Sequence, residues 1–222
     1  MTDTPLTSPA RWGAIAAALS SLVLVAACGS LLPKPAPLPA YFMLEGPATS
    51  AGGPAAAAPA ASAPTLVVGP PQAAAGYDSP HIVYTRTPHQ LEAYAHSVWV
   101  DTPARMLAPL LVAALARGGE FAAVVAGPSA AAGELRLDTE ILQLRQDFEG
   151  ATSRVRFSLR ATLVDSAARR VLATRDLETT VAAPGADAAG GVRAAQVAVQ
   201  DVLGQLVAFC TTASRRWRPL PR

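Results

Sequence analysis

The sequence predicts an α+β domain, an antiparallel β-sheet with two helices packed on one face. Three observations carry that prediction. Residues 154–163 alternate cleanly, with Val155, Phe157, Leu159, Ala161 and Leu163 on one side and Arg154, Arg156, Ser158, Arg160 and Thr162 on the other, so one face is buried and one is wet. Strand-like runs lie directly before and after it, from Leu135 and from Val171 to Val181, and the short breaks between them make the three an antiparallel meander. Two further stretches carry helical spacing: Met106, Leu107, Leu110, Leu111, Ala114 and Leu115, and later Val192, Ala195, Val199, Val202, Leu203, Leu206 and Cys210.

The chain opens on a short polar lead ending at Arg11, followed by an apolar run from Trp12 to Ala27. That run is shorter than the ~20 apolar residues of a membrane-spanning helix, so residues 1–27 read as a secretory signal that is removed. Small side chains at Ala26 and Ala27 suit a protease groove, but a plain signal does not need a cysteine beyond the cut. Val25-Ala26-Ala27-Cys28 resembles a bacterial lipobox. The resemblance implies an S-diacylglycerol on Cys28, cleavage before it and acylation of the new amino group, with Val25, Ala26 and Ala27 as the signal-peptidase recognition residues. A chance cysteine at the end of an ordinary signal is the alternative. Each buried methylene adds ~0.8 kcal/mol of membrane affinity, so two or three acyl chains hold a protein where one does not. Gly29 stands where sorted lipoproteins of enteric type carry a retention aspartate, so the resemblance implies the periplasmic face of the outer membrane.

The remaining chain is long enough for one domain with its own core. The full sequence has a formal net charge of +2, from 18 Lys+Arg against 16 Asp+Glu, which loss of Asp3 and Arg11 leaves unchanged, and it lacks the clustered basic excess of a nucleic-acid binder. With Cys28 consumed by lipid, Cys210 has no partner for an intrachain disulfide. It falls on the apolar stripe of the second helix and reads as a buried, inert thiol.

Residues 28–40 alternate prolines at Pro33, Pro35, Pro37 and Pro39, which favours an extended tether lifting a domain of residues 41–213 off the bilayer. Tyr41 to Leu44 is a short strand candidate. Residues 45–64, rich in Ala, Gly and Pro, are a low-complexity insert that cannot build a core and reads as a loose loop. Thr65 to Val68 is a strand stopped by Gly69-Pro70-Pro71, and His81 to Arg86 is the next, turned by Thr87-Pro88-His89. Leu91 to Val100 is read as a strand as well.

Asp101-Thr102-Pro103 supplies an N-cap and a first-turn proline for the first helix. Pro109 removes a backbone donor inside the pattern and predicts a kink or a late start, and Gly118-Gly119 ends the helix. Phe121 to Val125 is a short strand. Leu135, Leu137, Thr139 and Ile141 share one parity while Leu142 and Leu144 take the other, which predicts a bulge near Ile141. Residues 182–191 read as a Gly/Ala/Pro loop before the second helix. Residues 214–222 form a basic tail, solvated or touching anionic headgroups.

Signatures of catalysis are sparse. His81, His89 and His96 fit none of the short metal-ligand spacings and read as surface or edge-strand residues. The chain has neither a G-x-S-x-G elbow nor a G-x-x-x-x-G-K-[ST] loop. Asp138, Glu140, Asp147 and Glu149 lie in or near one strand, where solvent-facing positions explain most of them. Arg154, Arg156 and Arg160 line one strand face, neighbours two residues on being ~7 Å apart. They form either a solvated sheet face or a positive surface for phosphate headgroups or an acidic partner.

Order and spacing along the mature chain resemble the ABC-type transport auxiliary lipoproteins. The matching features are the lipobox, Tyr41-Phe42-Met43-Leu44, Leu66-Val67-Val68, Ile82-Val83-Tyr84, Tyr94 and Trp99 followed by Pro103, the Leu107–Leu115 helix, Phe148-Glu149-Gly150 and the closing helix. The resemblance implies a non-enzymatic outer-membrane lipoprotein, with no cofactor beyond the acyl groups on Cys28. It would work with an MCE-domain protein, a permease and an ATPase in lipid transport, docking the MCE component as a homo-oligomeric ring or singly. The insert at 45–64, the loop at 126–133 and the basic tail depart from the family pattern. Candidate contact residues are Tyr84, Tyr94, Trp99, Arg154, Arg156 and Arg160, with burial of the aromatics in the core as the competing fate. The rival functions are an assembly helper for an outer-membrane β-barrel complex and a surface-associated hydrolase.

Overall fold

One long hairpin organises the domain. In the computed structural model, which describes residues 37–46, 63–129 and 133–218, β7 (Leu135–Glu149) runs antiparallel to β8 (Thr152–Asp165), and β8 in turn to β9 (Arg170–Ala182). The chain divides into two units, Met1–Leu38 and Pro39–Arg222, and all elements described here belong to the second. Val25, Ala26, Ala27 and Cys28, and with them the signal and lipobox readings, lie outside the described residues, as do most of the tether and most of the 45–64 insert.

The alternation in β8 holds: Val155, Phe157, Leu159, Ala161 and Leu163 are buried together with Leu135, Leu137, Ile141 and Leu144 of β7. The β7–β8 register shifts between Ile141 and Gln143, so the extra residue Leu142 turns the parity over and returns Leu144 to the same side as Phe157. That is the bulge expected from the sequence. Ser158, expected on the wet face, is nonetheless 3% exposed. It is a small side chain set opposite the longer Gln143 and Glu178 on either side.

The other edge of β7 is covered by three short strands laid end to end. β2 (Thr65–Val68), β3 (Gln72–Ala73) and β4 (His81–Thr85) all run parallel to β7, placing Leu66 beside Leu135, Gln72 beside Glu140 and Tyr84 beside Gln146. β5 (Glu92–Trp99) is antiparallel to β4, β1 (Ala40–Phe42) is parallel to β5, and β6 (Ala123–Ala126) is parallel to β2. The α+β class stands. The sheet is mixed, antiparallel along its three long strands and parallel where most of the short ones join, because alternation fixes which face a strand buries and says nothing of its neighbour.

Helix α1 (Pro103–Arg117) starts where Thr102 caps it by accepting from the Arg105 amide. Pro109 neither delays nor breaks it. The proline sits on the exposed side, where the Arg105 carbonyl it leaves unpaired faces water. The helix ends at Gly118, and Gly119 takes a left-handed φ of 69° that suits glycine.

Helix α2 (Ala188–Arg216) lies across the buried face of β8 and β9, with α1 beside it. Its start falls inside the stretch read as loop, because Asp187 caps it by accepting from the Gly190 amide at 2.6 Å. Its end runs past the expected boundary, so Ser214, Arg215 and Arg216 are helical and do not belong to a tail. Length and composition alone would let α2 cross a membrane. Here Val192, Ala195, Val199, Val202, Leu203, Leu206 and Cys210 face the sheet instead. Burial pushes the Cys210 thiol up to about 12, so it stays protonated.

Candidate functional site

The candidate contact residues fall on opposite sides of the sheet. Tyr84 and Tyr94 meet on the core side, where β4 ends and β5 begins, against the start of α2. Their ring centroids are 4.6 Å apart, and Phe148 packs edge-on to Tyr84 at 5.7 Å. Arg86, one residue past the end of β4, holds its guanidinium 4.9 Å from the Tyr84 ring and 5.6 Å from that of Phe148. Arg86 was not among the residues singled out from the sequence, although its same-parity spacing from Tyr84 was a readable signal.

Both phenols are engaged. Tyr84 donates to Glu92 at 3.0 Å, and Tyr94 donates to the side-chain oxygen of Gln146 at 2.8 Å. Burial raises the Tyr84 hydroxyl above its ordinary range, and the bond to Glu92 adds to it. Burial, then the neighbouring Tyr84 and Asp187, push Tyr94 up to about 12. Both rings therefore stay neutral, as donors and apolar surface. Gln146 passes the chain on, its amide nitrogen donating to Ser153 at 2.7 Å, and Ser153 donates to the Gly185 carbonyl at 3.3 Å. This relay ties β5, β7, β8 and the loop entering α2.

Trp99 stands apart, on β5 but 4% exposed and packed into the main core. Of the three candidate aromatics Tyr84 and Trp99 are buried, and Tyr94 is half-buried. His81, His89 and His96 are all exposed, and no group of metal-binding side chains occurs among the described residues.

Arg154, Arg156 and Arg160 line the opposite, solvent-facing side, as their parity requires. The register brings a carboxylate to each. Arg160 binds Asp176 on β9 at 2.8 Å and reaches Glu140 on β7 at 3.7 Å. Arg154 pairs with Glu149. Asp147 accepts from Arg145 at 2.7 Å, and its second oxygen lies 3.5 Å from the Arg156 Nε without hydrogen-bond geometry. The hydrogen bond from Arg160 holds the Asp176 carboxyl below its ordinary range. The face is thus a ladder of matched charges whose positive members are locally neutralised. The carboxylates completing it, Glu140, Asp147, Glu149 and Asp176, are largely those the sequence explained as solvent-facing.

The end of α2 is also more ordered than a solvated tail. Arg215 binds Glu120 at 3.0 Å, and Trp217 donates its indole N–H to Asp165 at 2.8 Å. Asp165 is 2% exposed, and hydrogen bonds first from the Ala168 amide and then from Trp217 hold its carboxyl below the ordinary range.

Comparison with known proteins agrees with this architecture. A crystal structure of a Xanthomonas campestris protein matches with a TM-score of 0.67 at 23% identity, covering 80% of this chain and 97% of that one. A crystal structure of an uncharacterized protein matches with a TM-score of 0.61 at 12% identity, covering 78% and 99%. At these identities the likeness is one of fold. No curated protein matches the chain. The family described as ABC-type transport auxiliary lipoprotein component matches residues 47–207, from ahead of β2 to within α2, and the chain belongs to that family.

Proposed function

We propose that this protein is a non-enzymatic docking component of an MCE-type ABC lipid transport system, held by acyl chains on Cys28 at the periplasmic face of the outer membrane. The observation that carries the reading is the family match, which spans the long hairpin and most of the helix packed on it. The chemistry of the described residues is in keeping with it. The Cys210 thiol is sealed in the core, the Tyr84 and Tyr94 hydroxyls are committed as hydrogen-bond donors, and each candidate arginine stands against a carboxylate. Those features suit a surface that binds. In this role the domain receives the periplasm-spanning MCE component, alone or as a ring of copies, while the anchor keeps it against the bilayer.

Two measurements test the reading. Cys28→Ala is expected to release the protein from the outer-membrane fraction and to abolish its contribution to envelope integrity, and unchanged fractionation would refute the anchor. Crosslinking and pull-down from membranes is expected to recover an MCE-domain protein. Recovery of a β-barrel assembly component in its place would overturn the partner assignment.

A further inference from the structure

An open groove runs along the outer edge of β9. A space of about 680 Å³ lies between the Arg170–Arg175 run of β9 and the last turns of α2. Phe209 and Trp217 give it apolar surface, and Arg170, Arg175, Arg216 and Arg218 line it with no acidic side chain among the lining residues. Arg136, Arg145, Arg154, Arg156, Arg160 and Arg215 each have a carboxylate within 4.0 Å, whereas among the described residues none of the four groove arginines does; Arg86, Arg117, Arg169 and Arg193 are likewise without one, and what sets the groove apart is that four such arginines line a single space.

The strand itself is half-used. β9 pairs with β8 on one side only. Farther along its free side the Gln205 side chain donates to the Glu178 carbonyl at 3.2 Å, closing the edge there. Backbone groups alternate sides along a strand, so Thr174 and Asp176 present theirs in the same outward direction as Glu178. Toward Arg170 no such plug is present among the described residues. The β8–β9 register shifts between Leu163 and Val164, so Leu172 is an extra residue that bends the run, and the regular free edge is the part from Ala173 onward.

We propose that this groove docks an extended acidic peptide segment of a partner protein, which adds to β9 as a further strand while its carboxylates meet the four arginines. Main-chain hydrogen bonds supply affinity in this mode of recognition and the flanking charges supply selectivity. An anionic membrane surface would engage the arginines without using the strand edge, and a second copy of the chain would use the edge without need of acidic residues. The proposal rests on the β9 edge alone and is independent of the anchor and of any transport role.

The test uses the full mature chain in detergent and a short synthetic peptide alternating glutamate with valine and threonine. Trp217 lines the groove while Trp99 is buried, so intrinsic fluorescence reports occupancy. The glutamate peptide is expected to change the emission saturably and to slow amide exchange at Thr174 and Asp176. Its affinity is expected to fall about tenfold or more in the double variant Arg170→Glu, Arg175→Glu. Equal binding of a peptide with lysine for glutamate, measured on the unaltered chain, would overturn the proposal. So would a preference for phosphatidylglycerol over phosphatidylcholine vesicles that the glutamate peptide does not compete away, or protection of those amides by self-association without peptide.

Discussion

The Tyr94 hydroxyl donates to Gln146 at 2.8 Å, and Gln146 is 2% exposed, so a single buried amide joins the aromatic pair to the start of α2. Gln146→Ala leaves the half-buried Tyr94 hydroxyl without its acceptor, while Ser153 loses the incoming amide but keeps its bond to the Gly185 carbonyl. A loss of about 1–3 kcal/mol is expected, the cost of one stranded polar group, and chemical denaturation checks it. Gly191 permits this arrangement, since a Cβ there would overlap the Gln146 side-chain oxygen. Gly191→Ala is therefore expected to destabilise through the same relay, and its effect should shrink when Gln146 is already Ala.

Thr139 faces the core opposite Ala161, and its hydroxyl has no hydrogen-bond partner among the described residues. Thr139→Val keeps the shape and removes the polar atom. A gain of about 1 kcal/mol in unfolding free energy is expected, with no change in the denaturant slope.

Cys210 is fully buried and its thiol is pushed up to about 12. Alkylation by iodoacetamide at neutral pH is expected to be on the order of a thousandfold slower in the folded chain than in denaturant, since reaction must wait for opening. The folded state holds this proton more tightly than the unfolded state. The corresponding stability is fully present below the ordinary thiol range and is lost as pH rises through it toward 12.

Arg160 lies between Glu140 and Asp176. In Arg160→Gln the Asp176 carboxyl is expected to titrate at a higher pH, back in its ordinary range, which carboxyl NMR reads directly. In the unaltered chain the depressed value means that this pair's contribution is present above the ordinary aspartate range and fades as pH falls through it.

Asp165 fixes Trp217 through one indole hydrogen bond. Asp165→Ala is expected to free the indole and shift its emission to longer wavelength, leaving Trp99 unchanged in the core. Acidification of the unaltered chain should reach the same state, at a pH below the ordinary aspartate range.

The sequence carried the faces of this fold more clearly than its adjacencies. Val155 to Leu163 disclosed a buried side because alternation is local, and the parity change after Ile141 disclosed the bulge for the same reason. The parallel seating of β2, β3 and β4 on β7 depends on contacts between residues some 60 to 70 positions apart, which no local pattern records. β3 has only two residues and no period at all. The start of α2 was hidden because Gly185, Gly190 and Gly191 read as breakers. In the folded chain two of them lie where neighbours come close, Gly190 against Gly185 and Gly191 against Gln146. Arg154, Arg156 and Arg160 were correctly assigned to one side, but their carboxylates arrive from β7 and β9, in places fixed by pairing register. Tyr94 was legible as an aromatic at a strand position. Its amide partner was not.

The end-to-end seating of β2, β3 and β4 along one strand also bears on how such a chain can vary. Each short segment takes its alignment directly from β7, so the length of a connector between them is not counted by any ladder. Residues can be gained or dropped in those joints without resetting the hairpin. Drift of that kind leaves relatives alike in shape long after their letters have diverged, as the 23% identity alongside a TM-score of 0.67 illustrates.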